Sequence, residues 1–363
     1  MKILITGGHI TPALAVVEEL QGQEIVFVGR KYALEHEKTL SFEYKEVQKK
    51  GLPFIDLSAG RINKGFSLRG LISILKIPYG FYQALHIVRK QKPDVVLSFG
   101  SYLAVPIAWW ANIFSIPVYL HEQTSVPGRA NRLIGKFARK VFVSFPETER
   151  FFPQARVVLS GNPIRSVVTR VLKKPFDIEK KDPVIYVTGG SLGSHSINSH
   201  IQNLLKKLTS LYTVIHQVGD TKQYNDFEKL SILKNDLPEP LRKKYILQKH
   251  FMDDEIGYVY SVSDVVVGRA GANTFFELIY LKKPTVFIPL PWSAGREQQK
   301  QAEIFKTAEV GEVFNQTDSS KLLFEKIQKI VNEKDLYVAH FSNLDKLYNE
   351  NAAHLIADEI LKK

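Results

Sequence analysis

The sequence predicts an α/β protein whose two halves each carry a parallel sheet covered by helices on both faces. Three observations carry this reading. Continuous apolar runs rich in β-branched residues alternate with helical patterns along most of the 363 residues. The alternation is punctuated once, by Gly161-Asn162-Pro163 and the charged stretch KKPFDIEKKDP, and then restarts. Both halves place glycines directly after strands, where parallel sheets bind their ligands.

In chain order, the first half offers the strands KILIT, EIVFVG, DVVLSF, PVYLHE, KVFVSF and RVVLSG. The second offers PVIYVTGG, YTVIHQVG, YILQKHF, DVVVGRAG, PTVFIPLP and, more weakly, GEVFNQ. Helices between successive strands make the sheets parallel. The boundary is expected near residues 162–182, dividing the chain into domains 1–163 and 164–341. A last apolar-periodic segment, Ser342 to Leu361, reads as a helix with no strand after it, free to pack on either domain. With two sheets, the cleft between them is the expected site.

Composition narrows the classes. The 44% apolar content with 11% aromatics describes a globular protein. The absence of cysteine removes disulfides and thiol or Cys–metal chemistry. The chain starts on a strand, so no signal peptide is expected. The net charge of +12 is concentrated in two acid-free runs. One, between Asp56 and Asp94, holds Arg61, Lys64, Arg69, Lys76, Arg89, Lys90 and Lys92; the other, between Glu122 and Glu147, holds Arg129, Arg132, Lys136, Arg139 and Lys140. Such asymmetry points to an anionic partner. No nucleic-acid-binding module accompanies it, so nucleic acid is not expected. The run around GLISILKIPYGFYQALHIVRK is apolar almost all round, but Lys76, Gln83 and His86 break it, and Pro78 interrupts the helix. It reads as an interfacial patch, with Leu71, Ile74, Leu75, Ile77 and Phe81 dipping into a membrane surface, or else as a core helix pair.

The glycine turns carry the chemistry. They are TGGH at 6–9, SFGSY at 98–102, TGGSLGS at 188–194 and GRAGANT at 268–274. Backbone N–H groups at a helix N-terminus favour negative charge, and glycine permits close approach. Four such turns suggest a diphosphate-bearing ligand. A dinucleotide fingerprint fits less well, because 189–194 reads G-G-x-x-G. Neither a Walker A nor an Asp-x-Asp is present.

These residues resemble the MurG family of peripheral membrane glycosyltransferases of peptidoglycan synthesis. The matching stretches include TGGHITPALAVVEEL, KPDVVLSFGSYLAVP, IPVYLHEQTSVPGRANRLIGKFARKVFVSFPE, GNPIR, VTGGSLGSHSIN, FMDD, SDVVVGRAGANTFFEL, PLPW and EQQKQAE. The resemblance implies a GT-B fold of two Rossmann-like domains with helix 342–363 crossing back to the first. It implies metal-free, inverting transfer of GlcNAc from UDP-GlcNAc to undecaprenyl-diphosphate-MurNAc-pentapeptide (lipid I), giving lipid II. No cofactor is implied, and the protein is expected at the cytoplasmic face of the cell membrane. The other readings are a GT-B transferase on a different lipid acceptor and an inactive nucleotide-sugar-binding scaffold.

The resemblance also assigns roles. On the donor side Glu277 meets the ribose hydroxyls and the Met252 backbone reads uracil. Arg165 and Ser191 meet the diphosphate, Ala272 is a further donor-site residue, and Gln298 or Gln299 grips the sugar hydroxyls. On the acceptor side stand Thr6, Gly7, Gly8, His9, Tyr102 and Thr124. His9 is the expected general base, a ring with an ordinary pKa of about 6.5 held neutral at a helix N-terminus; Glu122 is its rival. Two departures stand out. Leu4-Ile5 occupy the place of the family's first glycine pair, and HEQN reads HEQT, so Thr124 replaces an amide with a shorter hydroxyl.

Overall fold

Apolar runs without polar interruption become the central strands of two sheets whose strand pairs are all parallel. The computed structural model describes residues 1–32, 40–58, 68–190, 192–220 and 223–362, with side chains except at 68–76 and 294. The chain divides into two units, Met1–Arg165 with Asn349–Lys363, and Ser166–Tyr348.

Among the described residues the first unit has seven strands. They are β1 (Lys2–Thr6), β2 (Glu24–Gly29), β3 (Phe54–Asp56), β4 (Val95–Ser98), β5 (Val118–Glu122), β6 (Lys140–Val143) and β7 (Val157–Leu159), in the order β3-β2-β1-β4-β5-β6-β7. Strand alternation sends Ile3, Ile5, Phe27 and Leu97 to one face, against Leu14 and Val16. Leu4, Val26, Val96 and Leu120 go to the other, against Ala104, Ile107 and Ile134. The edge strand β3 is the one that the pattern did not single out. Its three residues are half-buried or exposed, so no apolar run marks it.

The helices that bear on the site are α1 (Ile10–Glu19), α2 (Phe42–Lys49), α3 (Leu68–Gln91), α4 (Ala104–Ile113) and α5 (Arg129–Gly135). The Ser41 hydroxyl caps α2 by accepting the Tyr44 N–H at 3.1 Å. Pro78 does not interrupt α3 as expected; the helix runs through it and forgoes one backbone hydrogen bond there.

The second unit, among the described residues, has β8 (Val184–Thr188), β9 (Thr213–Gln217), β10 (Tyr245–Gln248), β11 (Val265–Gly268), β12 (Thr285–Phe287) and β13 (Gly311–Val313). Their order is β10-β9-β8-β11-β12-β13. The weakly signalled GEVFNQ supplies β13, with Gly311 registered on Thr285.

The segment expected as one helix over 342–361 is two pieces. A 3₁₀ stretch, His340–Leu347, stays with the second unit, where Phe341 meets Phe305 edge-on. The α-helix Ala352–Leu361 instead buries Ile356 and Ile360 in the first unit's core. Between them Asn349 donates to the Ser160 carbonyl at 2.8 Å, an alternative to helix continuation.

In both sheets the strand order reverses direction once, between β1 and β4 and between β8 and β11. The four glycine turns follow these four strands, so each pair flanks a topological switch point.

Candidate functional site

In the first unit the turn after β1 shrinks to Gly7-Gly8-His9, because Leu4 and Ile5 are fully buried strand residues. Glycine is needed here for packing. A Cβ on Gly8 would lie 2.7 Å from the Phe99 carbonyl oxygen of the turn after β4. A Cβ on Gly7 would collide with the Glu43 carboxyl group, which reaches in from the first turn of α2. The space beside Gly7 is therefore filled by the chain itself. The Gly7 N–H donates to the Val28 carbonyl at 3.2 Å, whereas Gly8 is exposed. The Thr6 hydroxyl is buried with no hydrogen-bond partner among the described residues.

Burial acts strongly on Glu43. It raises the carboxyl pKa to about 7, against the opposing pull of the Arg30 N–H and its positive charge. The Arg30 guanidinium also lies 3.5 Å from the Tyr102 hydroxyl, joining the end of β2 to the turn after β4.

His9 precedes α1 as its N-cap, with its Nδ1 2.6 Å from the Gln123 side-chain nitrogen. Its pKa falls to about 4, and the cause is burial. Desolvation thus favours the neutral ring at pH 7, whereas the expectation rested on the helix end.

Glu122, the rival base, lies within a hydrogen-bonded loop. It is fully buried, and Oε1 accepts the Thr124 N–H at 2.9 Å and the Thr124 hydroxyl at 2.7 Å. Oε2 accepts the Asn131 amide at 2.7 Å. Burial raises its pKa, while these bonds hold it down. Glu122 ties residues 122–131 into a loop and is sealed from solvent. Thr124 is spent in the same network, its carbonyl also accepting the Thr148 hydroxyl at 2.9 Å. His121, equally buried, is pushed down to about 3.

In the second unit Gly271 caps the helix Ala272–Tyr280, with Ala272 as its first residue. Glu277 lies in that helix, 6% exposed, and accepts the Tyr260 hydroxyl at 3.2 Å. Met252 is exposed and caps the helix Asp253–Val262, but its N–H is already given to Glu255 at 3.0 Å. Gln298 accepts the Leu290 N–H at 2.9 Å. Gln299 donates to the Leu290 carbonyl at 2.8 Å and accepts the Ser293 hydroxyl at 2.7 Å. Gln299 is thus a loop clamp, while Gln298 keeps its amide nitrogen outside that clamp. Arg165 is half-buried at the end of the first unit, and Ser191 lies outside the described residues.

Two residues were missed by motif reading. Gln217, buried at the end of β9, donates to the Gly190 carbonyl at 3.1 Å and accepts the Phe251 N–H at 3.2 Å. Arg269, inside RAGA, donates to the hydroxyls of Ser194 and Ser196, to Gln316 Oε1 and to the Ile288 carbonyl, all between 2.7 and 2.9 Å. Burial lowers its pKa to about 10. A glutamine after β-branched residues and an arginine beside glycine were the available signals.

On α3 and α4 of the first unit, Tyr79, Tyr82, Trp109 and Ile113 are about half exposed. Arg89 lies over the Phe114 ring at 5.6 Å. Phe81 is half-buried and Ile77 likewise; Arg61 and Lys64, and the side chains of Arg69, Leu71, Ile74, Leu75 and Lys76, lie outside the described residues. No described helix is long and apolar enough to cross a membrane.

Known proteins resemble this chain along its length. The glycosyltransferase family 28 N-terminal domain matches residues 6–143, and the family 28 C-terminal domain matches residues 184–359. A Clostridium kluyveri protein named UDP-N-acetylglucosamine--N-acetylmuramyl-(pentapeptide) pyrophosphoryl-undecaprenol N-acetylglucosamine transferase is 33% identical over 351 residues, 93% of each chain. A Clostridium novyi protein of the same name is 32% identical, covering 99% of this chain and 97% of its own. The crystal structure of Acinetobacter baumannii MurG aligns over all of both chains with a TM-score of 0.72 and 25% identity. A UDP-GlcNAc 2-epimerase from Neisseria meningitidis shares the fold, at 16% identity and a TM-score of 0.67 over all of both chains.

The Glu43 wedge makes a signed prediction. The folded state holds a proton that the unfolded state, with the ordinary value of 4.5, releases, so this carboxyl's contribution to stability falls as pH rises from 4.5 to about 7. His9 and His121, depressed in the fold, act with the opposite sign through about pH 6.5. The difference between wild type and Glu43→Gln cancels their part. Urea unfolding should show that difference moving against the wild type by about 3 kcal/mol over this window. A difference independent of pH would show that Glu43 titrates normally.

Proposed function

Since the chain belongs to glycosyltransferase family 28, we propose that it transfers GlcNAc from UDP-GlcNAc to the MurNAc 4-hydroxyl of undecaprenyl-diphosphate-linked MurNAc-pentapeptide. The fold is GT-B, with a Rossmann-like sheet in each unit. The observation that best supports the donor half is the segment GRAGANTFFEL, which sets a helix N-terminus and a buried carboxylate at the switch point of the second sheet. Helix N–H groups at Ala272 stabilise the charge of a leaving diphosphate. The Glu277 carboxylate accepts the two ribose hydroxyls, and Tyr260 orients it. Gln298 reads a sugar hydroxyl, since an amide both donates and accepts. Arg165 and Ser191 complete the diphosphate contacts. Both backbone groups of Met252 are bonded at the helix start, the N–H to Glu255 and the carbonyl to the Glu255 and Ile256 N–H groups, and the exposed residue lies against uracil.

On the acceptor side the exposed Gly8 and the start of α1 receive the lipid diphosphate, with Thr6 and Tyr102 beside them. His9, neutral by burial, takes the proton of the 4-hydroxyl as its oxygen attacks the anomeric carbon and UDP departs. Glu122 and Thr124 shape the loop that carries Gln123. Incubating the protein with radiolabelled UDP-GlcNAc and a lipid I analogue tests this: label should pass to the lipid, and UDP-GalNAc should react at least tenfold more slowly. Donor binding without transfer to any lipid would identify a scaffold instead.

Calorimetry tests the donor residue. Glu277→Ala should weaken UDP-GlcNAc binding by about 2–4 kcal/mol through loss of charge-assisted hydrogen bonds. Unchanged affinity in a folded variant would remove the ribose assignment.

The acceptor's tail stays in a bilayer, and the aromatic face of α3 and α4 suits the surface of an anionic membrane on the cytoplasmic side. Tyr82, Trp109 and Ile113 supply apolar burial, and Arg89 and Lys90 supply attraction that salt screens. Vesicle binding should fall, without vanishing, as ionic strength rises. Changing Tyr82, Trp109 and Ile113 together to Ser should cut vesicle binding and transfer to lipid-embedded acceptor, while transfer to a short-chain soluble acceptor survives. Equal loss on both acceptors would refute membrane docking through this face.

A further inference from the structure

A neutral imidazole carries one proton on two nitrogens, so only one of them accepts. For His9 to take a hydroxyl proton through Nε2, the ring's own proton must reside on Nδ1. That nitrogen lies 2.6 Å from the Gln123 side chain, which is 3% exposed at the end of β5. As oriented, the Gln123 amide nitrogen faces Nδ1, which would put the ring proton on Nε2. The same orientation leaves Gln123 Oε1 buried with no hydrogen-bond partner among the described residues. Amide oxygen and nitrogen are nearly identical in shape, and a half-turn of the side-chain amide exchanges them. After that half-turn Oε1 accepts the Nδ1 proton and the Nε2 lone pair is free, while the amide N–H groups take the buried place the oxygen had held.

We propose that Gln123 is a positioning residue that selects the base-competent tautomer of His9, its side-chain carbonyl accepting the Nδ1 proton so that Nε2 receives the proton of the attacking hydroxyl. This rests on His9 as the general base. During transfer the hydroxyl oxygen bonds to the anomeric carbon and its proton passes to Nε2. The bond from that carbon to the UDP oxygen breaks, and UDP leaves with the electron pair. The imidazolium keeps its Nδ1 bond to Gln123 and returns the added proton to solvent. A neutral amide suits a buried ring here. A carboxylate would favour the imidazolium and raise the pH at which the base becomes free. The loop behind Gln123 fixes its backbone, because the adjacent Glu122 is bonded to Thr124 and Asn131. His121, two residues back on β5, is the other ionisable ring whose charge couples to His9.

The test combines ¹⁵N NMR of the full chain labelled at histidine with kinetics on a lipid I analogue. In wild type at pH 7 His9 should show a protonated Nδ1 and a bare Nε2. Gln123→Met, similar in length but without an acceptor oxygen, should mix the tautomers and lower kcat at least tenfold with the donor KM unchanged. Gln123→Glu should restore the Nδ1-protonated form, recover most of kcat and move the acid limb of the pH profile upward. A wild-type His9 protonated on Nε2, or a Gln123→Met variant with unchanged kcat, would overturn the proposal. His9→Ala separates the two layers. If it keeps wild-type kcat, the base assignment fails; if it is inactive while Gln123→Met is not, only the role of Gln123 fails.

Discussion

The loop that carries the proposed acceptor residues hangs on one buried carboxylate. Glu122 stands at the end of β5, and both of its oxygens are bonded within the loop it begins, to Thr124 and to Asn131. A buried polar group is costly unless its hydrogen bonds are satisfied. Three short bonds meet that condition, and in doing so they fold residues 122–131 into a fixed shape. Gln123 follows directly and is held against His9. Within HEQTSVPGRANR, Glu122, Thr124 and Asn131 are thus spent on one another, while His121 and Gln123 reach partners outside the stretch.

The second unit solves a similar problem by other means. Its glycine turn after β8 is fastened from beneath, by Gln217 at Gly190 and by the Arg269 guanidinium at Ser194 and Ser196. Arg269 contacts neutral acceptors at all four of these bonds. A guanidinium is weakly hydrated and always charged, so it survives such burial better than lysine would. Its positive charge lies near two helix N-termini, at 195 and 272, where a diphosphate is favoured electrostatically.

Much of this was legible in the sequence. Long β-branched runs announce strands because both faces of a parallel sheet are buried, so twelve strands could be read from pattern alone. The edge strand β3 could not, since Phe54 and Ile55 are only half covered. Pro78 misleads for a related reason, because packing along α3 outweighs one lost hydrogen bond. The final segment misleads because Asn349 trades helix for a bond to Ser160, a contact far away in sequence. At the site, motif reading picked out residues whose hydrogen bonds it could not foresee. Gly7 faces Glu43, Thr124 faces Glu122, and Gln299 faces its own loop. Each was assigned to a ligand by residue type, whereas the neighbour that uses it, nearby in the chain for Thr124 and Gln299 and distant for Gly7, shows only in the folded structure. Glu43 itself, in an ordinary helical pattern, gave no signal at all.

The turnover of Glu122→Gln on a lipid I analogue tests the central claim most directly, namely that Glu122 acts by holding the loop and does not itself take the proton. Glutamine keeps one oxygen for Thr124, and Asn131 can rotate its amide to offer an oxygen to the new nitrogen. The account predicts a folded protein, less stable by about 1–3 kcal/mol, with kcat within about tenfold of wild type, a smaller loss than removal of a general base causes. A folded Glu122→Gln variant whose kcat falls a thousandfold or more would contradict it and make Glu122 the base.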